Sequence, residues 1–197
     1  MKLKEIKEIA KEIKDKKTVI VCYSTGVDST LLLYLVKEAF ATLSKEEQEK
    51  INIRPLYFFH GENKISTKAN EAIDLAMATC KKLNLGLDIY DLKLEKNNLG
   101  WEGVARRKRE EIIKDIKPDL VLTGHHRMDR VENIMIQLFR GAGRGITGIK
   151  KRDGIYYRPL IAWEKNRIYN YAKKFNLQWR EDPSKKKSKM NRNFLRN

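Results

Sequence analysis

Ser24-Thr25-Gly26-Val27-Asp28-Ser29 gathers three hydroxyls, a glycine and a carboxylate into six residues. The run Thr18-Val19-Ile20-Val21-Cys22 before it reads as a buried strand, and Leu31-Leu32-Leu33-Tyr34-Leu35-Val36 after it as a buried helix. A strand entering such a turn and leaving as a helix aims backbone N–H groups and a positive helix end at one spot. That is an anion site, to which Ser24, Thr25 and Ser29 add hydroxyl donors. The turn lacks Gly-Lys-Ser/Thr, so it is not the nucleoside-triphosphatase P-loop. Asp28 suits a phosphate cradle only with a cation or a substrate amine between them. The plainer reading is a turn that caps a helix.

A second chemical stretch is Thr123-Gly124-His125-His126-Arg127-Met128-Asp129-Arg130-Val131-Glu132-Asn133. Val131, Ile134, Met135, Leu138 and Phe139 recur at helical spacing and predict a buried face. Asp129 and Glu132 fall on another face, in the first turn, where the helix dipole favours carboxylates. They either cap that helix or face the Ser24–Ser29 loop, holding magnesium or a cationic co-substrate. Adjacent histidines point apart and no third soft ligand is near, which disfavours zinc.

These two stretches need a scaffold, and strand and helix alternate along the chain. Lys2–Lys14 is an amphipathic helix, and Ser44–Lys50 reads as a charged connector. Strands are expected at Ile51–Phe59, Leu87–Tyr90 and Asp119–Thr123, and helices at Thr67–Leu83 and Trp101–Ile116. Asp153-Gly154 predicts a hairpin turn, and a last helix carries Ile168, Tyr171, Ala172 and Phe175. The alternation predicts an α/β fold, a parallel doubly wound (Rossmann-like) sheet with a small helical and basic C-terminal extension. Ligands in such sheets sit beyond the strands' carboxyl ends, where both stretches fall. No repeat or linker interrupts the 197 residues, so one domain over 1–197 is expected, with 184–197 a basic tail and no separate C-terminal domain.

Lys and Arg outnumber Asp and Glu 42 to 26, giving a net charge of +16 and pointing to a nucleic-acid partner. Residues 180–197 hold seven basic residues against two acids. No apolar run is long enough for a membrane span, and the first 17 residues lack a signal-peptide core, so a cytoplasmic protein is expected. Cys22 and Cys80 form no C-x-x-C. Cys80 shares a stripe with Ala69, Ala72, Ile73, Ala76 and Leu83 and reads as a buried hydrophobe.

Ser24–Ser29 resembles the S-G-G-x-D-S signature of the PP-loop (N-type) ATP pyrophosphatases, with Thr25 replacing the first glycine. If the backbone there has positive φ, a β-branched residue is strained. Five further blocks resemble one family, tRNA(Ile)-lysidine synthetase. Leu122-Thr123-Gly124-His125-His126…Asp129…Glu132 is similar to its T-A-H-H-x-x-D-x-x-E-T, with Met128 where an acid is frequent and Asn133 for threonine. Leu138-Phe139-Arg140-Gly141-Ala142-Gly143 is similar to L-x-R-G-x-G, and Glu102…Ala105-Arg106…Arg109 to E-x-x-A-R-x-x-R. Arg158-Pro159-Leu160 matches R-P-L, and Asp182-Pro183-Ser184 with Arg192-Asn193-Phe194-Leu195-Arg196 matches the final block.

The resemblance implies a ligase that uses ATP and Mg2+ to adenylate the wobble cytidine of tRNA(Ile) with a CAU anticodon. The amine of free L-lysine then displaces AMP. It implies ATP binding by Ser24, Thr25, Gly26, Val27, Asp28 and Ser29, and catalysis by Asp28, Asp129, Glu132 and Arg192. It also implies phosphate or tRNA contacts by Arg106, Arg109 and Arg196, to which the basic run adds Lys185, Lys186, Lys187 and Lys189. His125 and His126 are expected to shape their loop. Metal ligands and oligomeric state stay open, a homodimer being one option. The rivals are a PP-loop tRNA thiolase, an ammonia-using amide synthetase and a non-catalytic RNA-binding module. A thiolase needs reactive cysteines that Cys22 and Cys80 are poorly placed to supply.

Overall fold

The computed structural model describes residues 4–59, 67–92, 101–139, 141 and 146–181. The strands are β1 (Thr18–Tyr23), β2 (Asn52–Phe59), β3 (Asp88–Asp91), β4 (Leu120–Leu122), β5 (Arg152–Asp153) and β6 (Tyr156–Tyr157). The helices are α1 (Lys4–Ile13), α2 (Val27–Phe40), α3 (Lys45–Lys50), α4 (Thr67–Lys82), α5 (Trp101–Ile116), α6 (Arg127–Phe139) and α7 (Lys165–Lys174). The sheet order is β3-β2-β1-β4-β6-β5. All neighbours are parallel except the β5–β6 hairpin, which turns at Gly154 with φ 55°. From β1 the chain winds outward to β2 and β3, and from β4 it winds the other way. The crevice between β1 and β4, at their carboxyl ends, is therefore the switch point where such sheets bind ligands.

Period-two alternation along β1 feeds two cores. Val19, Val21 and Tyr23 face the larger one, built with α1, α2 and α7. Ile20 faces a smaller one with Leu56, Val121 and Ile113 of α5, against which Cys22 packs. α2 lies between sheet and helices, so Leu31, Leu32, Leu33, Leu35 and Val36 are all buried. Among the described residues no helix is long and apolar enough to cross a membrane.

Two expectations are corrected. The connector after α2 is the helix α3, started by a capping box: Glu47 N–H donates to Ser44 Oγ, and Ser44 N–H to the Glu47 carboxylate. More consequential, α6 does not bury its apolar stripe. Val131, Leu138 and Phe139 are exposed, Phe139 by 68%, and Ile134 and Met135 are half-buried. The stripe turned toward the protein carries Asn133, Ile134 and Gln137. The start of α6 fixes this rotation, because Arg127 N–H donates to the Trp163 carbonyl and Gly148 abuts Ile134.

Trp163, 2% exposed, joins the helices that carry the site. Its Nε1–H donates to Glu5 Oε1 of α1 at 2.8 Å, and the Arg167 guanidinium of α7 lies 3.7 Å from a ring centroid. We expect Trp163→Ala to cost about 3–5 kcal/mol and Trp163→Phe less, since Phe retains most of the ring volume. Urea unfolding at constant m-value measures both. A loss below about 1 kcal/mol for Trp163→Ala, the level of an ordinary surface change, would make the α1–α7 contact peripheral.

Candidate active site

β1 ends at Tyr23 and α2 begins at Val27, so three residues make the turn. Thr25 takes φ 59°, the strained conformation foreseen for a β-branched residue. It is 2% exposed, its hydroxyl donates to Ser24 O at 2.6 Å, and its carbonyl accepts Arg180 N–H at 2.8 Å. Ser29 Oγ donates to Gly26 O at 3.0 Å and accepts Ser24 N–H. With that hydrogen committed, the 3.1 Å Ser24–Ser29 contact is donated by Ser24. The three hydroxyls thus hold the loop's own shape, and the backbone N–H groups at the start of α2 remain as the anion donors.

The loop after β4 packs directly on this turn. A Cβ at Gly124 would lie 3.1 Å from Asp28 C and Ser29 N, so glycine lets the two strand ends approach without displacing that backbone. The two histidines do point apart. His125 Nδ1 pairs with Thr123 Oγ1 at 2.7 Å, whereas His126 caps α6, its Nδ1 accepting Met128 N–H at 3.1 Å. An accepting Nδ1 assigns the proton to Nε2. That Nε2 lies 3.8 Å from Asp28 Oδ1 and 3.8 Å from Asp129 Oδ2. Asp129 also accepts His126 N–H at 2.8 Å, so it caps α6 while facing Asp28 across the histidine. Burial pushes the His125 imidazolium pKa down, with help from Arg158 and Arg106 against Asp129, so His125 is neutral at pH 7.

Lys165 completes the cluster. Its Nζ donates to both oxygens of Asp28, at 2.7 and 2.6 Å, and sits 5.3 Å from the Tyr169 ring centroid. Three helix N-termini therefore converge beyond β1 and β4: α2 with Asp28, α6 with Asp129 and α7 with Lys165. Sequence reading missed Lys165 and the Arg180 backbone. A signal existed for the first: a lysine in a helix's opening turn opposes the dipole unless a carboxylate faces it.

Of the remaining expected residues, Glu132 lies one turn beyond Asp129 on the exposed side of α6. Arg106 pairs along α5 with Glu110 at 3.0 Å, and Arg109 Nε donates to Ala105 O. Lys185, Lys186, Lys187, Lys189, Arg192 and Arg196 lie outside the described residues, as does Arg140. The described residues contain no group of three or more His, Cys, Asp or Glu poised to hold a metal by themselves. Asp28 and Asp129 nonetheless offer the one or two hard carboxylates with which magnesium sites are built around substrate phosphates.

The cysteines are placed as hydrophobes. Cys22 and Cys80 belong to the cores on opposite faces of the sheet. Cys22 keeps some surface, yet desolvation pushes its thiol up to about 12, and burial pushes Cys80 to about 11. Ala72 and Ala76 share the buried stripe with Cys80, and the Ala69 side chain lies outside the described set.

The PP-loop domain family matches residues 1–197. The tRNA(Ile)-lysidine synthase of Wigglesworthia glossinidia brevipalpis is 36% identical over 202 residues, covering 97% of this chain and 50% of that protein. The tRNA(Ile)-lysidine synthase of Nitrosomonas europaea is 32% identical, covering 89% and 38%. The chain thus spans about half the length or less of these curated relatives. Among solved structures, a U34-tRNA thiolase from Methanococcus maripaludis with its [4Fe-4S] cluster superposes with a TM-score of 0.67 at 20% identity. It covers 91% of this chain and 66% of that one, a likeness of fold.

Two measurements test the site. In a double-mutant cycle on Asp28→Asn and Lys165→Met, unfolding free energies should show a coupling of about 0.5–3 kcal/mol; additivity would reduce the pair to coincident neighbours. Both thiols should resist Ellman's reagent at pH 7 in the native chain and react on unfolding. Rapid native reaction at either would contradict its placement as a desolvated thiol.

Proposed function

The chain belongs to the PP-loop domain family, and we propose that it is an ATP-dependent ligase joining free lysine to the wobble cytidine of tRNA(Ile) with a CAU anticodon. The observation that carries this reading is the meeting of Asp28 and Asp129, each 3.8 Å from His126 Nε2, at the switch point of the sheet. Relatives named tRNA(Ile)-lysidine synthase match along most of the chain and support it.

The two half-reactions make opposite electrostatic demands. Adenylating the base oxygen builds negative charge on departing pyrophosphate, which the N–H groups at the start of α2 and the converging helix dipoles are arranged to stabilise. Attack by lysine requires a cationic amino acid to be held while its nucleophilic amine sheds a proton. Asp28 and Asp129 supply the holding carboxylates. Lys165, an ammonium already held by Asp28, illustrates the kind of group that carboxylate accepts. Magnesium, for which Asp28 and Asp129 are suitable hard ligands, would supply charge neutralisation of the phosphates.

Thiolation draws no support from the residues. Cysteine thiolates hold iron–sulfur clusters and carry sulfur as persulfides. This chain has two cysteines, both desolvated and on opposite faces of the sheet. A bare RNA-binding module leaves paired carboxylates beside an anion site without purpose.

Incubation with ATP, magnesium, labelled lysine and tRNA bearing a CAU anticodon should transfer label to RNA. No transfer by folded protein would defeat the proposal. Asp28→Ala and Asp129→Ala should each lower incorporation by about 100-fold or more, the scale of losing one charged contact made in the transition state. A near-normal rate in either would remove that residue from the mechanism.

A further inference from the structure

Between α5, α6 and the β5–β6 hairpin lies a cavity of about 250 Å3, lined by none of the Ser24–Ser29 loop. Arg106 of α5, Asn133 and Gln137 of α6, and Lys150, Asp153 and Arg158 from the chain around the β5–β6 hairpin form its walls. We propose that this cavity accepts a backbone phosphate of the RNA substrate, seating the polyanion beside the carboxylate cluster; this rests on the reading that the substrate is an RNA.

The charge pattern points to an anion. The lining carries three cations and one carboxylate, that of the exposed Asp153. Arg106 also pairs along α5 with Glu110 outside the lining, which leaves Lys150 and Arg158 as the cations open to an anion. Arg158 is the key group. It is half-buried, one N–H is used on Lys150 O at 2.9 Å, and its Nε is buried with no hydrogen-bond partner. It makes no ion pair with Asp153 among the described residues. Burial presses its pKa down against the opposing pull of Asp153 and Tyr156, so a guanidinium sits partly desolvated with its Nε unpartnered. A phosphate relieves both costs, since its oxygens match the planar donors of arginine.

The walls are built for a polar guest. α6 turns Asn133 and Gln137 inward and leaves Val131, Leu138 and Phe139 in solvent, the reverse of an ordinary amphipathic helix. Gln137 Nε2 donates to Asn133 Oδ1 at 3.1 Å, which orders the two amides along the wall. Gly148, at φ 60°, clamps the opposite loop onto this stripe, and a Cβ there would fall 2.6 Å from Ile134 Cγ1. α6 carries Asp129 in its first turn and Asn133 and Gln137 on the following turns, so the cavity and the carboxylate cluster lie along one helix. ATP phosphates have their own seat at the start of α2, so the phosphate taken here is the RNA's.

The test is direct tRNA binding, read apart from lysine incorporation. Lys150→Gln removes an exposed cation without touching the core, Arg158→Gln removes the buried fork, and Lys45→Gln on α3 is the charge-matched control. Affinity for tRNA is measured at several salt concentrations and ATP affinity in parallel, with thermal unfolding confirming folded protein. Lys150→Gln and Arg158→Gln should each weaken tRNA binding about tenfold, as for one charge-assisted hydrogen bond. The slope of log affinity against log salt should fall by about 0.7 to 0.9, ATP affinity should hold, and Lys45→Gln should change neither slope nor affinity. An unchanged slope in folded Lys150→Gln would overturn the proposal even if Arg158→Gln did not fold. Weakened ATP binding with intact tRNA binding would also overturn it, assigning the cavity to the nucleotide. Wild-type protein that binds tRNA with the expected slopes yet incorporates no lysine would defeat the ligase reading and leave the phosphate seat standing.

Discussion

A carboxylate with 14% of its side chain exposed must be matched by donors, and Asp28 is matched by the ammonium of Lys165 in a two-oxygen contact. Removing charge from water costs several kcal/mol per ion unless the geometry is close to ideal. The pair therefore fixes where its elements lie. Asp28 is in the opening turn of α2, and Lys165 opens α7. Once these are joined, the Trp163 carbonyl just before α7 is positioned to receive Arg127 N–H and so to start α6. α2 and α7 already share the larger core, and this charged contact with the backbone beside it brings α6 into register with them.

Close packing makes that contact possible. The loop after β4 reaches the first turn of α2 because Gly124 has no side chain, and the β1 turn is narrow enough that Thr25 adopts left-handed backbone geometry. Such conformations cost about 1–3 kcal/mol and persist only where surroundings over-determine them. Here the Thr25 hydroxyl on Ser24 O, Arg180 N–H on its carbonyl and complete burial do so. The strain sits at the turn that aims the helix terminus, which is where a rigid anion site needs it.

Most of this was legible in the sequence, for identifiable reasons. The β1 run alternates between two cores, so its strand and the turn after it could be read from Thr18–Ser29 alone, as could the strain at Thr25. Asp129 could be placed because an acid in a helix's first turn has few roles. The rotation of α6 could not be read: periodicity identifies a stripe at 131, 134, 135 and 138 but not what covers it, and a cap at His126 with glycine at 148 decides the matter. α3 was hidden by its charge, although Ser44 and Glu47 have capping-box spacing. Lys165 was hidden because its partner is 137 residues away, and only its misfit with the helix dipole marked it.

The inverted helix gives the site two electrostatic sides. On one, Asp28 and Asp129 flank His126; on the other, Arg106, Lys150 and Arg158 surround a polar cavity. The proposed reaction, joining a cationic amine to a polyanionic nucleic acid, has to bring both charges to one point, and carboxylates and arginines placed side by side would satisfy each other instead. His125, kept neutral by burial and by the arginines, adds no charge of its own to either group. An apolar divider would separate them equally well but would offer an anion nothing to bind. The polar stripe of α6, with Asn133 and Gln137 inward, divides the charges while still lining the anion side with hydrogen-bonding groups. The exposed Val131, Leu138 and Phe139 follow from that orientation, because a helix that spends its inner face on a polar cavity must leave its apolar face outside.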